Sequence, residues 1–160
     1  GLTIHYSFEY HSDNPAEIVN KMRHQALTLP FETVSDVHHF EGDECNYMKR
    51  KGKDEWNWLL IQAVENIKDT KDPRYSYGVT PIEIIAFRTW PGKGCEPANF
   101  GLCCFPSRIE IDNKSIETDL DAGWHWGSFC KTQYAMQGGL EHFLKCHLMV
   151  IKMLDFAKEL

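Results

Sequence analysis

An α+β two-layer sandwich is the fold class this sequence predicts: a mostly antiparallel sheet of about five strands, covered on one face by two helices. Three observations predict it. Residues 2–10 alternate between apolar and polar, a period of two. A capped helical segment follows at once, and a longer one ends the chain. Between them lie short apolar runs separated by Gly, Pro and Asn, which is the pattern of hairpin-connected strands rather than of alternating strand and helix.

In the first strand Leu2, Ile4, Tyr6, Phe8 and Tyr10 lie on one face, with Thr3, His5, Ser7 and Glu9 on the other. Within Asp13-Asn14-Pro15-Ala16-Glu17, Asn14 caps a helix, Pro15 suits its first position and Glu17 reaches back to the cap. Ile18, Met22, Ala26 and Leu29 form the apolar stripe of that helix. Pro30 ends it, because the residue before a proline is driven out of helical geometry. Thr33 to Phe40 returns as a strand whose Val34, Val37, Phe40 spacing points to a bulge.

Glu41 to Glu55 is polar and reads as an exposed loop. Its basic cluster, Lys49, Arg50, Lys51 and Lys53, is followed directly by Asp54 and Glu55, so the field is partly cancelled at short range. Trp56 to Ile67 fits both periods. The Leu59-Leu60-Ile61 run and the two tryptophans favour a strand buried on both faces.

Ile82 to Trp90 is the clearest later strand, and Pro91-Gly92-Lys93-Gly94 turns it into a hairpin with Asn99 to Phe105. Ile109 and Ile111 mark a short edge strand before the Asp112-Asn113-Lys114 turn. Leu140 to Leu160 is a helix with Leu140, Phe143, Leu144, His147, Leu148, Ile151 and Leu154 as its buried stripe. No repeat, low-complexity tract or linker divides the 160 residues, so they read as one domain.

Composition narrows the function classes. Seventeen Lys and Arg against 23 Asp and Glu give a net charge of −6, which disfavours a general binder of nucleic-acid phosphates. No apolar run has the length of a membrane span, and the N-terminal residues lack the basic, apolar and small-residue order of a signal peptide. The six Cys include the adjacent Cys103 and Cys104, a poor fit to a disulfide framework, so the thiols read as reduced and the location as cytoplasmic.

The chemistry concentrates in Gly123 to Tyr134, a segment that holds neither period throughout. Its eleven residues from Trp124 carry four of the chain's 20 aromatics, about three times an even spread, beside an imidazole, hydroxyls, a thiol and an ammonium. Aromatic walls with a few convergent polar groups line small-molecule pockets. The expected site joins this segment to the Trp90 to Asn99 turn: Trp124, Trp126 and Tyr134 as walls, Lys131 for an anionic group, and Ser128, Gln133 and Asn99 to orient the ligand. His125 or Glu96 would move a proton, and Cys130, beside the Lys131 cation, is the candidate nucleophile for acyl transfer. His5 with Ser7 is a weaker candidate. The competing reading is an interaction or oligomerisation module that uses Trp56, Trp58, Trp124 and Trp126 as contact residues.

Known catalytic motifs are missing. Trp126-Gly127-Ser128-Phe129-Cys130 lacks the second glycine of a nucleophile elbow, and no phosphate-binding glycine loop occurs. A nucleotide cofactor is therefore unsupported, and the sequence identifies no other. No Cys-x-x-Cys or His-Glu-x-x-His is present, so no metal is assigned. The nearest ligand geometry is His142 with Cys146, four apart on a helix, completed only if Cys95, Cys103 or Cys130 comes close.

Overall fold

The alternating N-terminal run folds as strand β1 (Thr3–Tyr10), and the capped segment as helix α1 (Pro15–Leu27), in a computed structural model that describes residues 2–52 and 54–160. Lys53 of the basic cluster lies outside the described residues. The cap forms as its chemistry requires, with Asn14 Oδ1 accepting from the Glu17 N–H at 3.2 Å and Asn14 Nδ2 donating to the Glu17 carboxylate. The expected return strand is split into β2 (Thr33–Val34) and β3 (His38–Glu41). At the break the Ser35 N–H donates to Arg88 O, and the Ser35 hydroxyl accepts from the Arg88 N–H.

Trp56 to Ile67 departs from the expected strand. It forms the short helix α2 (Asn57–Gln62) and then β4 (Glu65–Lys68), which pairs with β5 (Ser76–Val79) apart from the main sheet. The competing helical period wins because Asp54, clamped by both guanidinium nitrogens of Arg50 at 2.8 Å, accepts from the Trp56 N–H and turns the chain into a helix. Leu59 and Leu60 are then both fully buried on the inner side of α2. The loop before it is also less exposed than its polarity predicts, since a 3-10 turn at Gly42–Cys45 buries Cys45.

The expected hairpin is present as β6 (Glu83–Trp90) and β7 (Ala98–Cys104), locked through seven residue pairs. β8 (Arg108–Ile111) and β9 (Lys114–Glu117) form a small hairpin around Asp112 and Asn113, whose φ angles of 50° and 63° suit a two-residue turn. The segment read as lacking a period contains a regular strand, β10 (Trp124–Lys131), paired with β1 over eight residues. Helix α3 (Leu140–Lys158) closes the chain.

The main sheet runs β1-β10-β7-β6, with β2 and β3 both on the outer edge of β6, and all pairs are antiparallel. The architecture is thus the predicted α+β arrangement, with six strands in the main sheet rather than five. Helices α1 and α3 pack on one face, over Tyr6, Ile85, Phe87, Phe100 and Leu102. Short α2 lies on the other, where Trp58 meets Phe129 edge to face. The stripe that α3 buries is Phe143, Cys146, Met149, Val150, Met153 and Ala157, so Leu140, Leu144 and Leu148 of the expected stripe lie exposed. Residues 140–158 carry two apolar stripes about a third of a turn apart, and periodicity alone does not say which one meets the sheet. No helix among the described residues is long and apolar enough to cross a membrane.

Candidate functional site

β10 and β7 are neighbours, yet only one residue pair, His125 with Cys103, joins them in the ladder. Beyond it the strands part, and backbone groups that would have paired need other partners. Side chains supply them. The Asn99 carbonyl accepts from the Tyr6 phenol at 2.7 Å and the Trp126 indole at 3.0 Å. Gln62, at the end of α2, donates to Phe129 O and accepts at Oε1 from the Ser128 hydroxyl (2.7 Å) and the Asn99 amide (3.0 Å). At the far end the Glu96 N–H donates to Lys131 O, and the Glu96 carboxylate accepts from the Lys131 N–H.

The polar groups of Asn99, Ser128 and Glu96, expected to face a ligand, are engaged within this gap. Asn99 is 1% exposed, and its Oδ1 has no partner among the described residues. Trp126 is 2% exposed, held in place by its indole hydrogen bond. Cys130 is fully buried with its thiol donating to Glu96 O at 3.3 Å. Burial, together with the nearby Glu96 carboxylate, pushes that thiol up to about 12, the opposite of an activated nucleophile. Burial also raises the Tyr6 phenol far above its ordinary value.

Segment and turn do meet, as expected, but around backbone. Gly94, at φ 87°, lies so close to Tyr134 that an added Cβ would stand 2.5 Å from its carbonyl oxygen. Tyr134 is exposed and lines a hollow of about 540 Å³ with Lys93, Gln137 and His142. Lys131, Gln133 and Trp124 are partly buried and do not line it. The expected residues are therefore distributed over two ends of one strand and its buried side.

The other end of β10 is open. On the α2 face, Ser7 of β1 lies opposite Gly127, and a Cβ on Gly127 would meet nothing within 4 Å. Two small residues make the floor of a cleft of about 290 Å³. Glu9 and His125, the next ladder pair on this face, stand at one side, Gln62, Ala63 and Glu65 at another, and Phe105 and Leu120 close the apolar wall. The His125 Nε2 donates to Ala122 O at 2.7 Å, which leaves Nδ1 as an acceptor, and its ring packs against Phe105 at 5.9 Å between centroids. Glu9 holds an exposed contact with His11 at 3.0 Å. The lining carries two carboxylates and, among the described residues, no lysine or arginine.

Of the predicted site residues, the cleft uses His125 and Trp126, and Ser7 of the weaker pair, while His5 does not line it. Glu9, Gln62 and Glu65 were not singled out, and the last two depend on α2 being a helix that ends beside the sheet. For metals, one group of three donors lies within 4.8 Å among the described residues: the exposed His39 and Glu41 with the half-buried Glu83 on the outer edge. His142 Nε2 and Cys146 Sγ are 3.6 Å apart, with Cys95 packed against Cys146, but they do not form such a three-donor group. No protein family, curated protein or solved structure matches the chain.

Proposed function

We propose that the protein binds a small organic cation, an amine or amidine carried on a short apolar or aromatic body, in the cleft above Ser7 and Gly127. The observation that carries this reading is the lining itself: Glu9 and Glu65 stand at a small hollow of mixed polar and apolar lining that contains no lysine or arginine among its described residues. Both carboxylates are exposed at the rim, where their charge draws a cation toward the cleft, and an apolar wall of Phe105 and Leu120 suits the uncharged part of such a ligand. The proton acceptor it would meet is Nδ1 of His125, whose other nitrogen is committed to Ala122 O. A volume of about 290 Å³ fits a compact metabolite.

Thermal-shift measurement with tyramine, phenethylamine and agmatine, against phenylacetate as the matched anion, tests it. The amines are expected to raise Tm by several degrees at saturation, since a ligand at 100 times its Kd stabilises by about 2.7 kcal/mol. A double variant Glu9→Gln, Glu65→Gln should abolish the shift. Equal stabilisation by phenylacetate, or a shift that survives the double variant, overturns the reading.

A second reading, self-association, rests on α3 rather than on the tryptophans, because Trp126 is buried while Leu140, Leu144 and Leu148 form an exposed row at 59, 43 and 48%. Sedimentation velocity of the protein and of Leu144→Glu separates it from the cleft proposal.

A further inference from the structure

A second cluster of reactive groups lies away from the cleft, where the Trp90–Asn99 turn rests on α3. Cys146 is fully buried on the inner side of α3, and Cys95, half-buried in the turn, packs against it together with Ala135 and Phe143. The turn is drawn down onto the helix at several points. The His142 ring donates through Nε2 to Lys93 O at 2.8 Å, the Cys146 thiol points at Pro91 O, and an added Cβ on Gly92 would stand 3.3 Å from Cys146 Sγ. That close approach of backbone to sulfur seats the turn that carries Cys95 on the cluster around Cys146.

We propose that Cys95 and Cys146 form a reversible disulfide that fastens the turn to α3. All six cysteines are free in this structure, so the reduced protein is the starting state. With a small-molecule disulfide as oxidant, the more accessible Cys95 loses its proton and attacks one sulfur. A mixed disulfide forms and one small thiol leaves. Cys146 then gives up its proton and attacks Cys95 Sγ, and the second small thiol departs. Two protein thiols and one small disulfide become one protein disulfide and two small thiols, with no atoms or electrons left over.

The division of roles follows from the surroundings. Burial raises both thiols above their ordinary values, and the neighbouring Lys145 cation favours the Cys146 thiolate. Cys95 is the entry point because it is half-buried, whereas Cys146 is fully enclosed and is reached only from Cys95. Other titratable groups near the pair are Cys130 from β10, His142 on α3 and Glu32 beyond α1. Because the first attack needs a thiolate held above its usual range, oxidation is slow at neutral pH and quickens about tenfold per pH unit between 7 and 9.

The experiment is incubation of the full chain with oxidised glutathione, followed by alkylation of remaining thiols and peptide mapping by mass spectrometry. The expected product lacks two hydrogens, yields one linked peptide pair containing Cys95 and Cys146, and melts several degrees higher than the reduced protein, because the bond closes a loop of about fifty residues. Dithiothreitol reverses both changes. Cys95→Ser should prevent them, while Cys130→Ser should not. A lasting glutathione adduct on Cys95 beside a free Cys146 overturns the proposal, as does a Cys95–Cys130 link or complete alkylation of all six thiols. The wild-type map alone decides among these outcomes, so the test survives if a variant fails to fold.

Discussion

Gly101 and Gly127 lie on neighbouring strands and face the same side of the sheet, each two residues from a member of the Cys103–His125 pair, yet their missing side chains do opposite things. At Gly101 an added Cβ would stand 2.5 Å from both Ile85 O and Ala86 Cβ, so the glycine lets β7 lie against β6. At Gly127 an added Cβ would meet nothing within 4 Å, and the glycine leaves a hollow. One absence packs the fold, and the other opens a cleft. The difference arises from the partner strand: β6 and β7 are zipped through seven pairs, while β7 and β10 touch through one. Where a ladder opens, polar side chains must enter to satisfy the backbone, and a space beside them becomes available to a ligand.

The largest expected effect tests how well the opened ladder excludes water. Cys103, Cys130 and Tyr6 border it, and each is held protonated beyond its ordinary range chiefly by burial. For such groups the unfolded chain loses its protons first as pH rises. Stability is therefore intact below the unfolded values, 9.0 for the thiols and 10.0 for the phenol, and falls above them until the folded values are reached. Each group contributes a loss of about 1.4 kcal/mol per pH unit. Urea unfolding between pH 9 and 11 should show a total loss of roughly 5 kcal/mol or more. Tyr6→Phe should flatten the slope above pH 10. A stability that stays level across this range means that the gap is wet.

A smaller effect tests the zipped side. Gly101→Ala places a methyl against backbone that cannot retreat without breaking the β6–β7 ladder, and a loss of about 2–3 kcal/mol is expected. Chemical denaturation reads it directly. A loss below about 0.5 kcal/mol, the scale of an ordinary surface change, would mean the strands adjust and the contrast between the two glycines is one of degree.

Most of the sheet could be read from the sequence because its strands are apolar in recognisable ways: β1 alternates, while β6 and β7 are apolar runs buried on both faces and joined by turn residues. β10 could not, because its inward positions Ser128 and Cys130 are small, while Phe129 faces the other way onto Trp58. A strand beside a gap needs hydroxyls and amides on its covered side, which removes the very contrast that periodicity measures. α2 was hidden for a different reason. Its direction is set by Asp54 and Arg50, a contact made by side chains and not by a period. With α2 read as a strand, Gln62 and Glu65 could not be placed beside His125, so two edges of the cleft were out of reach even though His125 and Trp126 were in view.

The smallest expected effect on stability is also the sharpest test of the site. Gly127→Val adds a branched side chain to a strand position with empty space in front of it, where the gain in β preference, up to about 1 kcal/mol, offsets any crowding. Stability should stay level or rise slightly. The same two methyl groups would occupy the floor between Ser7 and the Glu9–His125 pair, in a cleft of only about 290 Å³. Amine binding should therefore fall at least tenfold with the fold intact, measured by calorimetric titration with tyramine beside a urea melt of the same sample. A variant that binds as well as the parent protein places the ligand elsewhere. One that loses stability by 2 kcal/mol or more shows instead that Gly127, like Gly101, is a packing glycine, and the contrast between the two strands no longer explains the opening.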